Sequence, residues 1–170
     1  DIFGKDIYAR LHNGELPQTS LPAGESIEKI LRQIVMDGYD GVIAVMLSGG
    51  LSGTYNLVRL IGEEGRGMLP VKVFDSVSGS LGMGLTLLQA AEDIRNGMGW
   101  VELTERRIPQ LIAGSHPFFS VDTLEYLQKG GRIGKVTATA GMLLQIKPIL
   151  TFAEDGQLTS VAKVRGRHQV

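Results

Sequence analysis

Apolar and polar positions along this chain switch repeatedly between a helical and a strand period. Over 25–37 the apolar residues Ile27, Ile30, Leu31, Ile34 and Val35 recur at i, i+3, i+4, i+7 and i+8, one face of a helix. Gly38 follows, where helices commonly end on glycine. Residues 41–47 form an unbroken apolar, β-branched run, the length of a buried strand. An amphipathic helix is predicted over about 53–64, with Tyr55, Val58 and Ile61 inward, then a strand over 71–74 and a helix over about 81–96. Gly97-Met98-Gly99 ends that helix, on which Met83, Leu85 and Leu88 read as core, with tunnel lining as the alternative. One more helix is predicted over about 101–112, bent or shortened by Pro109. Ahead of all these, residues 1–12 read as a short hairpin turning at Gly4-Lys5.

Short buried strands alternating with helices predict an α/β fold, a mostly parallel sheet flanked by helices. From Phe118 the rhythm changes to a strand over 118–121, a short helix over 123–128, a glycine turn and a small-residue helix over about 136–144. A strand over 147–152 then turns at Asp155-Gly156 into another over 157–164. A boundary near 113–117 divides the chain into an N-terminal α/β domain, 1–115, and the truncated start of a second α/β domain, 116–170. The chain opens on Asp1 rather than methionine, and both ends read as cut.

Composition narrows the function classes only modestly. With 43% hydrophobic and 21% charged residues in 170, this is an ordinary globular chain. A formal net charge of −1 gives no support for nucleic acid as a partner, nor for more than transient contact with an anionic membrane. The absence of cysteine removes disulfides and thiolate chemistry and fits a cytoplasmic location. The three histidines, His12, His116 and His168, are scattered without ligand-like spacing, so no metal site is expected.

Candidate chemistry gathers in two hydroxyl-rich stretches, Pro17-Gln18-Thr19-Ser20-Leu21-Pro22 and Leu47-Ser48-Gly49-Gly50-Leu51-Ser52-Gly53-Thr54-Tyr55. The second sits between a predicted strand and a predicted helix, where backbone N–H groups and the helix dipole favour an anion. Ser52 reads either as a plain helix cap or as an anion ligand together with the Gly53 and Thr54 N–H groups. A serine-hydrolase elbow is the remaining alternative, but Gly50-Leu51-Ser52-Gly53-Thr54 places the second glycine one residue early. Asp75-Ser76-Val77-Ser78-Gly79-Ser80 lacks the order of a phosphate loop. Lys129-Gly130-Gly131-Arg132-Ile133-Gly134-Lys135 fails as a P-loop, leaving Arg132 as an anion fork or a solvated side chain. Arg165-Gly166-Arg167 carries the same ambiguity.

Taken in order, these pieces resemble the DegV family of bacterial fatty-acid-binding proteins. The matching stretches are Thr19-Ser20-Leu21-Pro22, Leu51-Ser52-Gly53-Thr54-Tyr55, Asp75-Ser76, Asp122 to Leu127 running into Lys129-Gly130-Gly131-Arg132-Ile133, Ile146-Lys147-Pro148-Ile149-Leu150, and Arg165-Gly166-Arg167. The resemblance implies a non-catalytic carrier, without a cofactor, that holds a long-chain fatty acid between two domains. It further implies that the carboxylate is presented to a separate ATP-dependent kinase subunit, which makes acyl phosphate for phospholipid synthesis. By the same resemblance Thr19 and Ser52 bind the carboxylate with Gly53 and Thr54, while Ser20, Ser76, Met83, Arg132, Arg165 and Arg167 line the tunnel or meet the partner. The class alternative is a stand-alone phosphoryl-transfer or hydrolytic α/β enzyme. Leu21 stands where the family commonly has glutamine, and Gly49 where a second serine is common. The opening Asp-Ser strand of the family and a histidine beyond the present chain have no counterpart here.

Overall fold

The computed structural model describes residues 4–64, 69–139 and 146–165. Two parallel strands, β1 (Val42–Met46) and β2 (Val71–Asp75), pair with Val42 opposite Val71 and Met46 opposite Asp75. The connection runs through helix α3 (Thr54–Glu64), and α2 (Gly24–Met36) packs on α3. Gly62 of α3 lies so close to β2 that a Cβ there would stand 2.9 Å from Val71 Cγ1. These elements match the predicted α/β pattern.

Helix α4 (Ser80–Arg95) buries its small face, Gly82, Thr86 and Ala90, together with Asp93. Leu85 and Leu88, expected in the core, are instead 64% and 67% exposed. The correction follows from close packing, because the helix approaches its neighbours through small side chains and leaves the leucines on the far side. The apolar face of α2 is likewise narrower than predicted, with Leu31 buried and Ile30 and Val35 exposed.

The helix predicted over 101–112 exists but is interrupted. A short α5 (Trp100–Glu102) widens into a π turn (Leu103–Arg107) and resumes as α6 (Ile108–Ala113). Pro109 has no N–H for the Glu105 carbonyl, and its ring would strike that oxygen in a regular helix, so the preceding turn opens. Leu103 and Ile108 flank the wide turn and join Ala90 in a core completed by Ile43, Phe74, Met98 and Ile112.

A second sheet is an antiparallel hairpin, β3 (Ile146–Phe152) and β4 (Leu158–Arg165), turning at the predicted Asp155-Gly156. Its core is Ile133, Val136, Leu150 and Leu158, with Leu51, Phe119, Leu127 and Phe152 packed around it. Three sequence expectations are revised. Residues 4–12 form a helix, α1 (Gly4–His12), not a hairpin; Asp6 in its first turn and Arg10 and His12 in its last suit the helix dipole. The strand expected over 118–121 reduces to one bridge between Phe119 and Leu150. In place of a helix over 136–144 there is a 3-10 segment, Gly134–Thr139, while 140–144 lie outside the described residues. A short helix, α7 (Glu125–Lys129), stands close to its predicted place.

One ion pair ties the π turn to α4. Arg107 Nε donates to Asp93 Oδ2 at 2.6 Å, and Gln89 Nε2 donates to Oδ1 at 3.0 Å. The Arg107 hydrogen bond, helped by Gln89, holds the Asp93 carboxyl below the usual aspartate range even though burial opposes it. A lowered folded-state pKa stabilises the fold above the ordinary value of about 3.9, and the gain is lost as pH falls through the lower folded value. Asp93→Asn should therefore lower the thermal midpoint at pH 7 and flatten its fall in acid. Melting curves between pH 7 and pH 3 check both effects.

Candidate functional site

Both hydroxyl-bearing turns lie beyond the carboxyl ends of parallel strands, the edge where α/β sheets collect ligands. The turn after β1 and the turn after β2 brace one another. Ser48 N–H donates to Ser78 O at 2.8 Å, and Ser76 N–H donates to Met46 O at 3.1 Å. Asp75 joins them through its carboxylate, which accepts Gly49 N–H at 3.0 and 3.1 Å and Val77 N–H at 2.8 Å. Gly49 sits tight against that carboxylate; a Cβ there would lie 2.6 Å from Asp75 Oδ2.

The β1 turn is also fastened to the hairpin sheet. Ser48, with no exposed surface, donates its hydroxyl to Gly156 O at 2.7 Å and accepts Gly50 N–H at 3.3 Å. Backbone meets backbone here: a Cβ on Gly50 would stand 2.3 Å from Gly156 C, 2.5 Å from its O and 2.6 Å from Gln157 N. Leu51 then plants its side chain in the hairpin core.

Ser52 follows, held open by its own neighbours. Thr54 N–H donates to Ser52 Oγ at 3.2 Å, and the Ser52 and Thr54 hydroxyl oxygens are 2.8 Å apart. Ser52 Oγ can accept both the amide and the threonine hydroxyl proton, which leaves its own proton to donate outward. The cap reading and the anion reading thus coexist in one side chain. The Gly53 carbonyl begins α3 by accepting Leu57 N–H at 3.1 Å, and Gly53 itself is exposed.

The segment carrying Thr19 and Ser20 touches this turn through Leu21. Leu21 packs on Gly53, with its Cδ2 3.3 Å from where a Cβ would stand. Thr19 and Ser20 lie exposed two and one residues upstream of that contact, on the segment running between α1 and α2. Leu21 thus supplies an apolar contact that ties the two motifs together.

Other predicted residues fall out differently. Ser76 is 2% exposed and donates its hydroxyl to Ser78 O at 3.0 Å, so it braces the β2 turn. Met83 is half-buried on α4. Arg132 is exposed, and its guanidinium touches two carbonyls: Nε donates to Leu51 O at 3.3 Å and Nη1 donates to Gly130 O. Arg165 is exposed at the end of β4, and Arg167 lies outside the described residues. Sequence reasoning missed Ser48, Asp75 and Gly156 as determinants of the site. Asp75 and Ser48 sat inside quoted motifs, but nothing local marked Gly156 as more than a hairpin residue.

Among the described residues no cluster of His, Cys, Asp and Glu is arranged to hold a metal ion, and no helix is long and apolar enough to cross a membrane. The hydroxyl partner of Ser52 is Thr54, and His12 and His116 are exposed.

Fold and site together define an α/β protein with a hydroxyl-lined, anion-compatible turn at the carboxyl edge of its parallel strands. The family model described as an uncharacterised protein of the DegV family matches residues 1–170, and the chain belongs to that family. A DegV domain-containing protein of Clostridium perfringens is 40% identical over 99% of this chain and 59% of its own length. A solved structure from Thermus thermophilus, described as fatty acid binding of a DegV family protein, superposes with a TM-score of 0.88 at 33% identity, over 99% of this chain and 59% of that one. Another, described as a stearic acid-binding protein from Eubacterium ventriosum, gives 0.86 at 28% identity, over 99% and 58%. This chain spans about three fifths of the length of these relatives.

The Ser48–Gly156 bond carries a structural expectation. Ser48→Ala leaves a buried carbonyl without its donor, which costs about 1–3 kcal/mol. Urea denaturation of the variant against the wild type measures the loss.

Proposed function

We propose that this protein is a carrier for a long-chain fatty acid, its carboxylate held by Ser52 and Thr19 with help from Gly53 and Thr54. The observation that carries this reading is the Ser52–Thr54 hydroxyl pair, 2.8 Å apart beside the loop that Leu21 pins to Gly53. An ionised carboxylate only accepts hydrogen bonds, so it needs outward-facing donors when it leaves water. In this reading the Ser52 proton and the exposed Gly53 backbone provide that chemistry together with the Thr19 hydroxyl, two residues before Leu21. The relatives described as fatty-acid-binding and stearic acid-binding proteins share this part of the fold.

Energetics assign different tasks to the two ends of the ligand. Each buried methylene contributes roughly 0.8 kcal/mol, so a tail of about 16 carbons offers on the order of 11 kcal/mol before ordering costs. Each hydrogen bond to the charged head contributes about 1.5–3 kcal/mol. The tail sets affinity, and the head sets which end faces the opening. In this proposal the tail lies between an N-terminal domain, 1–115, and a second domain beginning at 116. The protein catalyses nothing alone and needs no cofactor. It presents the acid to an ATP-dependent kinase subunit in the cytoplasm, which forms the acyl phosphate.

Lipid extraction and mass spectrometry of the full-length protein, purified without detergent, should yield a long-chain acid in near-stoichiometric amount. Ser52→Ala should weaken palmitate binding about tenfold or more, and adding Thr19→Ala should weaken it further, while loss of the Ser52 cap on Thr54 N–H costs about 0.5–2 kcal/mol of stability and leaves the fold intact. An acid-free protein, or variants that bind palmitate as tightly as the wild type, would remove the reading.

A further inference from the structure

We infer that Leu21 is a positioning residue for Thr19, holding the loop that carries this hydroxyl against the Ser52 turn, an inference that rests on the carboxylate role proposed for Thr19 and deepens it. Leu21 acts by shortening the free chain between Thr19 and the nearest fixed point.

Residues 12–23 are exposed, and 15–23 run between α1 and α2 without helix, turn or bend. A segment of this kind keeps its place through the side-chain contacts along it. Leu21, itself half exposed, makes one of them. Its Cδ2, Cδ1 and Cγ lie 3.3, 3.6 and 4.0 Å from where a Cβ on Gly53 would stand, so the branched end of the leucine fills the space a side chain would take. Gly53 is not among the glycines with left-handed backbone, so glycine serves there for room and not for conformation. The seat is firm. The Gly53 carbonyl accepts Leu57 N–H at 3.1 Å as α3 begins, and the Ser52 and Thr54 hydroxyl oxygens pair at 2.8 Å from the residues on either side. Leu21 thus rests on the one residue between the two paired hydroxyls.

A second fixed point follows at Gly24, the first residue of α2, where a Cβ would lie 3.5 Å from Ile61 Cδ1 of α3. Upstream the loop is tied to α1, through Glu15 N–H on Arg10 O at 2.9 Å, but α1 has no buried residue to fix it in turn. With Leu21 seated, Thr19 is two residues from a fixed point, a reach of about 7 Å. With Leu21 released it is five residues from Gly24, a reach of about 17 Å. The volume open to Thr19 grows as the cube of that reach, roughly fifteenfold, and the effective concentration of its hydroxyl at the head group falls in proportion. Pro22 helps to keep this geometry, because it disfavours helical backbone at Leu21. A seated leucine orders Thr19 before the acid arrives, so the ordering cost does not fall on binding.

The test uses the full-length protein and palmitate. Leu21→Ala should weaken binding about threefold to tenfold, and Leu21→Met, which refills the seat, should recover most of the loss. A double-mutant cycle separates this role from a structural one. Thr19→Ala should cost about fivefold or more in the wild type but less than about twofold in Leu21→Ala, because the hydroxyl has already been let go. Ser52→Ala should cost the same factor in both backgrounds, since Ser48 O and the Thr54 hydroxyl hold Ser52 without Leu21. Leu21→Ala that binds palmitate as tightly as the wild type would overturn the inference. So would a Thr19→Ala loss undiminished in Leu21→Ala, or a coupling to Ser52 as large as that to Thr19, the mark of a general disturbance of the turn. If Leu21→Ala fails to fold, Leu21→Val answers the same question through the same cycle. Thr19→Ala without effect in the wild type would remove the Thr19 assignment itself and this inference with it; a wild-type protein that takes up no palmitate would remove the whole proposed function.

Discussion

The close approach of two turns, Ser48-Gly49-Gly50 after β1 and Asp155-Gly156 of the hairpin, is the constraint on which the rest depends. No side chain larger than hydrogen fits at Gly50 or Gly156, because each Cβ would meet the other turn's atoms. The contact is sealed by a buried hydroxyl on a buried carbonyl, an arrangement that is costly to leave half-made. Two small sheets that share no ladder of hydrogen bonds among the described residues are thereby fastened together here. That point lies four residues before Ser52.

From this joint the site builds outward in layers. Asp75 binds the backbone of both β-turns, the Ser76 hydroxyl stiffens the second, and Leu51 anchors in the hairpin core. Only then does the chain reach Ser52 and Thr54, whose hydroxyls pair with one another. Groups meant to hold a ligand work best when their own supports are rigid, and here the supports come from both sheets. The head-group cradle read from sequence consists of neutral donors alone.

Where the hydrophobic period was long and regular, the fold was legible in advance. The segments that became α2, β1, α3, β2 and α4 stand within a few residues of their predicted places. Residues 4–12 were misread because so short a stretch satisfies a hairpin and a helix about equally, and the choice falls to end charges and packing. Leu85 and Leu88 were misassigned for a different reason: hydrophobicity does not say which face of a helix approaches its neighbours when small residues line the other. The motif residues Ser52 and Thr54 were found because strand, glycine turn and helix start are contiguous. Gly156 and the contact of Arg132 with the Leu51 carbonyl were not, since each depends on residues 108 and 81 positions away and leaves no periodic trace.

The most direct measurement is a crystal structure of the full-length protein soaked with palmitate. The account predicts one carboxylate whose oxygens lie about 3 Å from both Ser52 Oγ and Thr19 Oγ1, with the acyl chain running into apolar surroundings. A head group bound elsewhere, or hydroxyls too far apart to share one carboxylate, would contradict it.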